Sequence, residues 1–130
     1  MGVVIVEFAP AHLDGVLEIC RAEGWTSLSA DPDRALSLMT GTGAVTLCGL
    51  DGQTVVGFAF GFGDGAIDFY LSMLVVADGH RRRGVGRRLI DGLFERTGVA
   101  RIDLLAEPGS EPFYESLPHR TFRGFRLRPR

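Results

Sequence analysis

The stretch from Ile67 to Thr97 constrains the fold of this chain more than any other segment. Up to Val76 it is rich in β-branched and aromatic residues, which favours a strand. From Val85 onward it reads as a helix. Val85, Leu89, Ile90, Leu93 and Phe94 share one stripe, and Arg87, Arg88, Asp91, Glu95 and Arg96 lie opposite. Between the two stands Arg81-Arg82-Arg83-Gly84-Val85-Gly86, a basic turn with two glycines at a helix start. Such a turn suits a phosphate, because the first N–H groups of a helix lack intrahelical partners and sit at the positive end of its dipole. Gly84 and Gly86 let the backbone approach an anion closely.

Two familiar phosphate loops do not match. A Walker loop ends in Gly-Lys-Ser/Thr, and this chain contains no lysine. A dinucleotide fingerprint needs a third glycine three residues after Gly86, where Leu89 stands. What remains is Arg-x-x-Gly-x-Gly, read from Arg81. This pattern resembles the pyrophosphate loop of the GCN5-related N-acetyltransferase (GNAT) superfamily, which lies between the fourth strand and third helix of that fold.

The rest of the chain agrees with one domain, residues 1–130. With 45% hydrophobic residues, a packed core is expected. No apolar run approaches the ~20 residues of a membrane span, and the N-terminus lacks the form of a signal peptide, so a cytoplasmic protein is expected. Cys20 and Cys48 read as buried reduced thiols, and the three histidines have no metal-binding spacing, so no metal is expected. The net charge of −2 argues against a nucleic-acid partner. Every basic residue is arginine, with five between Arg81 and Arg88 and five between Arg120 and Arg130.

In chain order, Val3 to Phe8 is a short strand. Pro10 opens a helix through Leu13, Val16, Leu17 and Cys20, which stops at Gly24. Asp31-Pro32 opens a second helix through Leu36 and Met39, ending near Gly41. Glu23 to Leu28 between them reads as a loop carrying the only tryptophan, Trp25. Ala44 to Leu50, Asp51-Gly52 and Thr54 to Phe62 form a hairpin, and Gly63-Asp64-Gly65 turns into the central strand from Ala66. After the central helix come a strand at Arg101 to Ala106, a short helix at Glu111 to Leu117 and a last strand at Thr121 to Leu127. This order is that of the GNAT fold. The resemblance implies an α/β (α+β) domain with a mixed, mostly antiparallel sheet, parallel strands four and five splayed apart, and about four helices.

The resemblance also implies a site. The backbone of Leu74, Val75 and Val76 would meet the pantetheine arm of acetyl-CoA, and Arg81, Arg82, Arg83, Gly84, Val85, Gly86, Arg87 and Arg88 would cradle its pyrophosphate. Glu111-Pro112-Phe113-Tyr114-Glu115-Ser116-Leu117 resembles the family's fourth-helix signature, which brings Phe113 and Tyr114 to the coenzyme. Tyr114 is then the expected general acid for the departing thiolate, since a phenol stays neutral at pH 7. Leu117-Pro118-His119 replaces the usual Leu-Gly-Phe, and Glu107 stands where many members carry asparagine. Counting back from Arg81 gives Tyr70 the place of the glutamate base of some members. Asp68 shares its strand face and is a candidate base, as is Glu23. Glu23, Trp25 and Tyr70 are the candidate acceptor contacts.

The expected reaction is direct transfer of an acetyl group from acetyl-CoA to a primary amine on a small molecule or peptide, without an acyl-enzyme. The main-chain N–H of Leu74 would meet the oxyanion. The alternative is a domain that binds acyl-CoA without catalysis, as a sensor or interaction module. An exposed last strand also offers an edge for a homodimer.

Overall fold

The computed structural model describes residues 2–130. Strands β1 (Val4–Glu7), β2 (Ala44–Asp51), β3 (Thr54–Gly63), β4 (Asp68–Val76) and β5 (Arg101–Asp103) form one sheet in that order. Neighbours are antiparallel except β4 and β5, which run parallel. The helices are α1 (Leu13–Ala22), α2 (Thr26–Ser29), α3 (Pro32–Met39), α4 (Val85–Thr97) and α5 (Glu111–Glu115). This is the mixed, mostly antiparallel sheet with flanking helices that the resemblance implies.

The sheet separates two cores. Under α1 to α3, Val16, Leu17 and Cys20 pack with Cys48, Phe58, Phe60 and Val75. Under α4, the stripe Val85, Leu89, Ile90 and Leu93 packs on Leu47, Ala59, Phe69 and Leu71, and α5 adds Phe113 and Tyr114. The apolar period of α4 is thus satisfied by burial, which stabilises a helix far more than its propensities do. Gly98, in the left-handed region at φ 68°, closes α4 by donating to the Phe94 carbonyl at 2.8 Å.

One irregularity in β4 decides what faces which core. The pairing with β3 shifts between Phe60 and Gly61: Phe60 lies opposite Met73, and Gly61 opposite Leu71. Ser72 is therefore an extra residue, a β-bulge. Before it, Phe69 and Leu71 face the α4 core; after it, Leu74 and Val76 take over that side and Val75 turns to the α1 core. The turn leading into β4 is held by Asp64, whose Oδ1 accepts from the N–H groups of Ala66 at 2.8 Å, Ile67 at 2.7 Å and Asp68 at 3.1 Å. Those bonds favour the ionised form and lower the Asp64 pKa.

Several expected boundaries move. The first helix begins as a 3-10 turn at Pro10–His12, and the loop around Trp25 contains the short α2, bringing the helices to five. β4 starts at Asp68 rather than Ala66, β5 ends at Asp103 rather than Ala106, and α5 ends at Glu115. The largest correction concerns Thr121 to Leu127, which forms no strand. Its apolar residues do not alternate strictly, β5 offers only three paired residues as a template, and every residue of the segment is exposed. Phe122 and Phe125 are consequently 67% and 73% exposed. The edge expected to pair two copies is not built by this segment.

Candidate active site

β4 and β5 are paired only over Asp68–Arg101, Phe69–Ile102 and Tyr70–Asp103. Beyond Tyr70 they part, and the edge of β4 toward β5 lies open. The Ala77 N–H bonds the Val56 carbonyl on β3 at 2.7 Å, so strand alternation turns the peptide groups of Val76 and Leu74 the other way, into this opening. Val75 lies between them with its side chain buried in the α1 core, and its peptide groups face β3. The splay thus presents alternate backbone groups, Leu74 and Val76, as an amide-bearing ligand requires.

The loop that follows is shaped as an anion cradle. His80 Nε2 and Asp51 Oδ2 meet at 3.1 Å, tying the 3-10 turn Asp78–His80 to the β2–β3 hairpin. Arg82 has φ 64°, the only positive value at a non-glycine position among the described residues, and Gly84 follows at φ 81° as the N-cap of α4. The first bond of α4 runs from the Arg88 N–H to the Gly84 carbonyl, 3.1 Å. Among the described residues, the N–H groups of Arg82, Arg83, Gly84, Val85, Gly86 and Arg87 make no hydrogen bond with the protein. Six consecutive unpartnered amides at a helix start, on a strained turn, match the chemistry of a pyrophosphate. Val85, 3% exposed, anchors this loop in the core.

The arginine side chains divide. Arg87 donates to the Ser116 carbonyl at 3.3 Å and Arg88 to the Val3 carbonyl at 2.5 Å, so both bind neighbouring segments. Arg81 donates from Nε to the Val76 carbonyl at 2.9 Å and pairs with Glu23 at 2.7 Å. Arg82 and Arg83 are exposed and have no ion pair among the described residues. These two carry the charge available to a ligand. Gly86 has a further role: a Cβ there would stand 3.1 Å from Phe113 Cζ, so this glycine admits the Phe113 ring against the first turn of α4.

Phe113 and Tyr114 of α5 stack edge to face, with ring centroids 5.0 Å apart, on the sheet face that carries Leu74 and Val76. The Tyr114 hydroxyl makes no hydrogen bond within the described residues, and burial raises its pKa above the usual phenol value. It is a neutral O–H donor at pH 7 beside the splay.

The opposite face of the sheet gathers the candidate acceptor contacts. Phe62 stacks on Phe60 with centroids 5.0 Å apart, so it shares the α1 side, and its register partner is Tyr70. Both are 39% exposed. Asp68, two residues before Tyr70, lies on that face with Arg101 and Asp103 from β5. Arg101 Nε holds Asp68 Oδ1 at 3.1 Å and reaches Asp103 Oδ2 at 4.0 Å. A hydrogen bond shared with Asp68 is the main reason the Asp103 pKa lies above the ordinary carboxylate value; slight desolvation and the charge of Asp68 add to it, and Arg101 opposes. Trp25 packs partly buried on the α1 core, and Glu23 is committed to Arg81. Phe62 and Asp103 were not legible as site residues, because only strand register places them opposite Tyr70.

Both cysteines are free and buried. Burial pushes the Cys48 thiol up to about 12 and also raises Cys20. Among the described residues no group of His, Cys, Asp and Glu is arranged to hold a metal ion. No helix among them is long and apolar enough to cross a membrane.

A model of the acetyltransferase (GNAT) domain matches residues 43–117, more than half of the chain, and the protein belongs to that family. Over 87 residues it is 40% identical to a mycothiol acetyltransferase of Kineococcus radiotolerans, a match covering 65% of this chain and 28% of that protein. The chain therefore corresponds to less than a third of that relative. Among solved structures, the ribosomal-protein-alanine N-acetyltransferase of Brucella melitensis superposes with a TM-score of 0.79 at 18% identity, covering 98% of this chain and 99% of the other. AAC(6')-Iy, in complex with the bisubstrate analogue CoA-S-monomethyl-acetylneamine, gives 0.80 at 18% identity, covering 100% and 99%. These two likenesses show the fold.

Proposed function

We propose that this domain transfers an acetyl group from acetyl-CoA to a primary amine by direct attack, with no acyl-enzyme. The observation that carries this reading is the run of six unpartnered N–H groups from Arg82 to Arg87, contiguous with the open edge of β4. Membership of the family supports the same coenzyme. In this reading the Arg82–Arg87 amides hold the pyrophosphate, with Arg82 and Arg83 adding charge. Leu74 and Val76 offer main-chain groups to the pantetheine amides, and Phe113 closes the cradle beside Gly86.

The chemistry then falls to few groups. The Leu74 N–H, fixed by the strand, donates to the oxyanion that forms when the amine attacks the thioester. Tyr114 gives its phenolic proton to the departing sulfur. The amine approaches from the face that carries Phe62, Tyr70 and Trp25, where a neutral amine can rest against aromatic edges. Asp68 and Asp103, on the sheet face of Tyr70, take up the amine's proton through water, and the hydrogen bond with Asp68 that raises the Asp103 pKa favours the proton there. Two buried free thiols fit a cytoplasmic setting.

The names of related proteins span small-molecule and protein acceptors. The test is therefore a panel holding an aminoglycoside, an alanine-terminated peptide and a lysine-containing peptide, each mixed with acetyl-CoA while released thiol is measured. At least one amine should accelerate thiol release above the slow hydrolysis seen without acceptor, and should itself gain one acetyl group. Coenzyme binding with no acceleration by any amine would favour the non-catalytic alternative.

A further inference from the structure

Arg81 heads the loop motif, yet its guanidinium is turned away from the cradle. Nε donates to the Val76 carbonyl at 2.9 Å, Nη2 to Glu23 Oε2 at 2.7 Å, and Nη1 lies 3.4 Å from Asp78 Oδ1. One side chain thus touches the open edge of β4, the turn after α1 and the 3-10 turn before the cradle. Glu23 closes α1, its N–H bonding the Ile19 carbonyl at 3.1 Å and the Cys20 carbonyl at 3.2 Å. Two residues on, the Trp25 N–H returns to the Cys20 carbonyl at 2.8 Å, and the indole packs on the α1 core. The backbone of this turn is tied to α1. Its charged link to the coenzyme side is the Glu23 carboxylate, whose partner is 58 residues away in sequence.

We propose that Arg81 is a positioning residue that couples the coenzyme loop to the Trp25 turn through Glu23, so that filling the loop fixes one wall of the acceptor pocket. The proposal rests on the coenzyme reading above. Glu23 accordingly serves as the anchor of that wall and not as the base. A ligand bonded to the open edge at Val76 shares its carbonyl with Arg81 Nε, and a ligand on the following amides sets the dihedrals of Arg82. Both constraints reach Arg81 directly and Glu23 through one ion pair. Because Arg81 and Glu23 are partly exposed, the link is weak in energy and matters for geometry: its loss should reduce acetyl-CoA affinity by only about two- to fivefold.

Trp25 is the only tryptophan in the chain, so tryptophan emission reports this turn alone. Acetyl-CoA is titrated in parallel by calorimetry and by tryptophan fluorescence, using the wild type, Glu23→Gln and Arg81→Lys. The wild type should show an emission change that saturates together with the heat. Glu23→Gln should still bind, about two- to fivefold more weakly, and lose most of the emission change. Arg81→Lys, which keeps the charge but replaces the planar fork by a single nitrogen in place of Nε and Nη2, should lose it too. Wild-type heat without an emission change would overturn the coupling and leave the coenzyme site standing, as would a full emission change in both variants, which would indicate direct contact between ligand and indole. Absence of heat in the folded wild type would instead remove the coenzyme reading and this proposal with it.

Discussion

Gly61→Ala should lower the melting temperature by on the order of 10 °C. Gly61 lies beside the bulge, against the backbone of β4. A Cβ there would collide with the Tyr70 carbonyl oxygen and stand 2.6 Å from Phe69 Cε1. The first obstacle is backbone of a hydrogen-bonded strand, and the second is a ring 1% exposed in the α4 core, so neither can yield cheaply. Overpacking of this kind costs about 1–3 kcal/mol, and an obstacle made of backbone puts it at the top of that range. At roughly 4 °C per kcal/mol for a domain of this size, the shift follows. Gly79→Ala is the matched control: nothing lies within 4 Å of a Cβ at that position, so its melting temperature should stay near that of the wild type. A Gly61→Ala protein that melts like the wild type would refute the close approach of β3 and β4 beside the bulge.

Tyr114→Phe should reduce kcat by about 10²- to 10⁴-fold while leaving the fold and acetyl-CoA binding nearly unchanged. The ring supplies packing in the α4 core against the Phe113 edge, and phenylalanine keeps that packing. The hydroxyl is without a partner among the described residues, so its removal orphans no buried group and costs little stability. What disappears is the proton for the leaving thiolate. Because burial raises the phenol pKa, the wild type holds this proton throughout the neutral range, and ionisation of Tyr114 should limit the rate only at strongly alkaline pH. Unchanged kcat in Tyr114→Phe under saturating substrates would show that thiolate departs without this acid.

Local chemistry made much of this protein legible before its structure. The stripe of α4, the hairpin and the strand, loop and helix order around Arg81 depend on residues close in sequence, and the structure has them, with the hairpin turn one residue on, at Gly52-Gln53, because Asp51 pairs with Thr54. The Thr121 to Leu127 segment was misread for the complementary reason. Its composition suits a strand, but a strand exists only where a neighbour offers an edge and a core, and β5 ends at Asp103. The arginines illustrate the same limit. Nothing local distinguishes Arg83 from Arg87 and Arg88, which are taken up by the Ser116 and Val3 carbonyls, 29 and 85 residues away. Gly86 was legible as a close-approach position, though the group that approaches in this structure is Phe113. Phe62 and Asp103 join the candidate site through register with Tyr70, which a bulge at Ser72 helps to set and which no single-strand pattern encodes.

The central claim is that the loop from Arg82 to Arg87 holds the pyrophosphate of acetyl-CoA. Its most direct test is calorimetric titration of the purified protein with acetyl-CoA, with ATP and NAD as controls, repeated on Arg83→Glu. Arg83 is exposed and has no ion pair among the described residues, so this change leaves the core intact and sets a negative charge beside the cradle. Saturable binding of acetyl-CoA alone, weakened roughly fivefold or more in Arg83→Glu, is the expected result. No saturable heat from a demonstrably folded protein would contradict it.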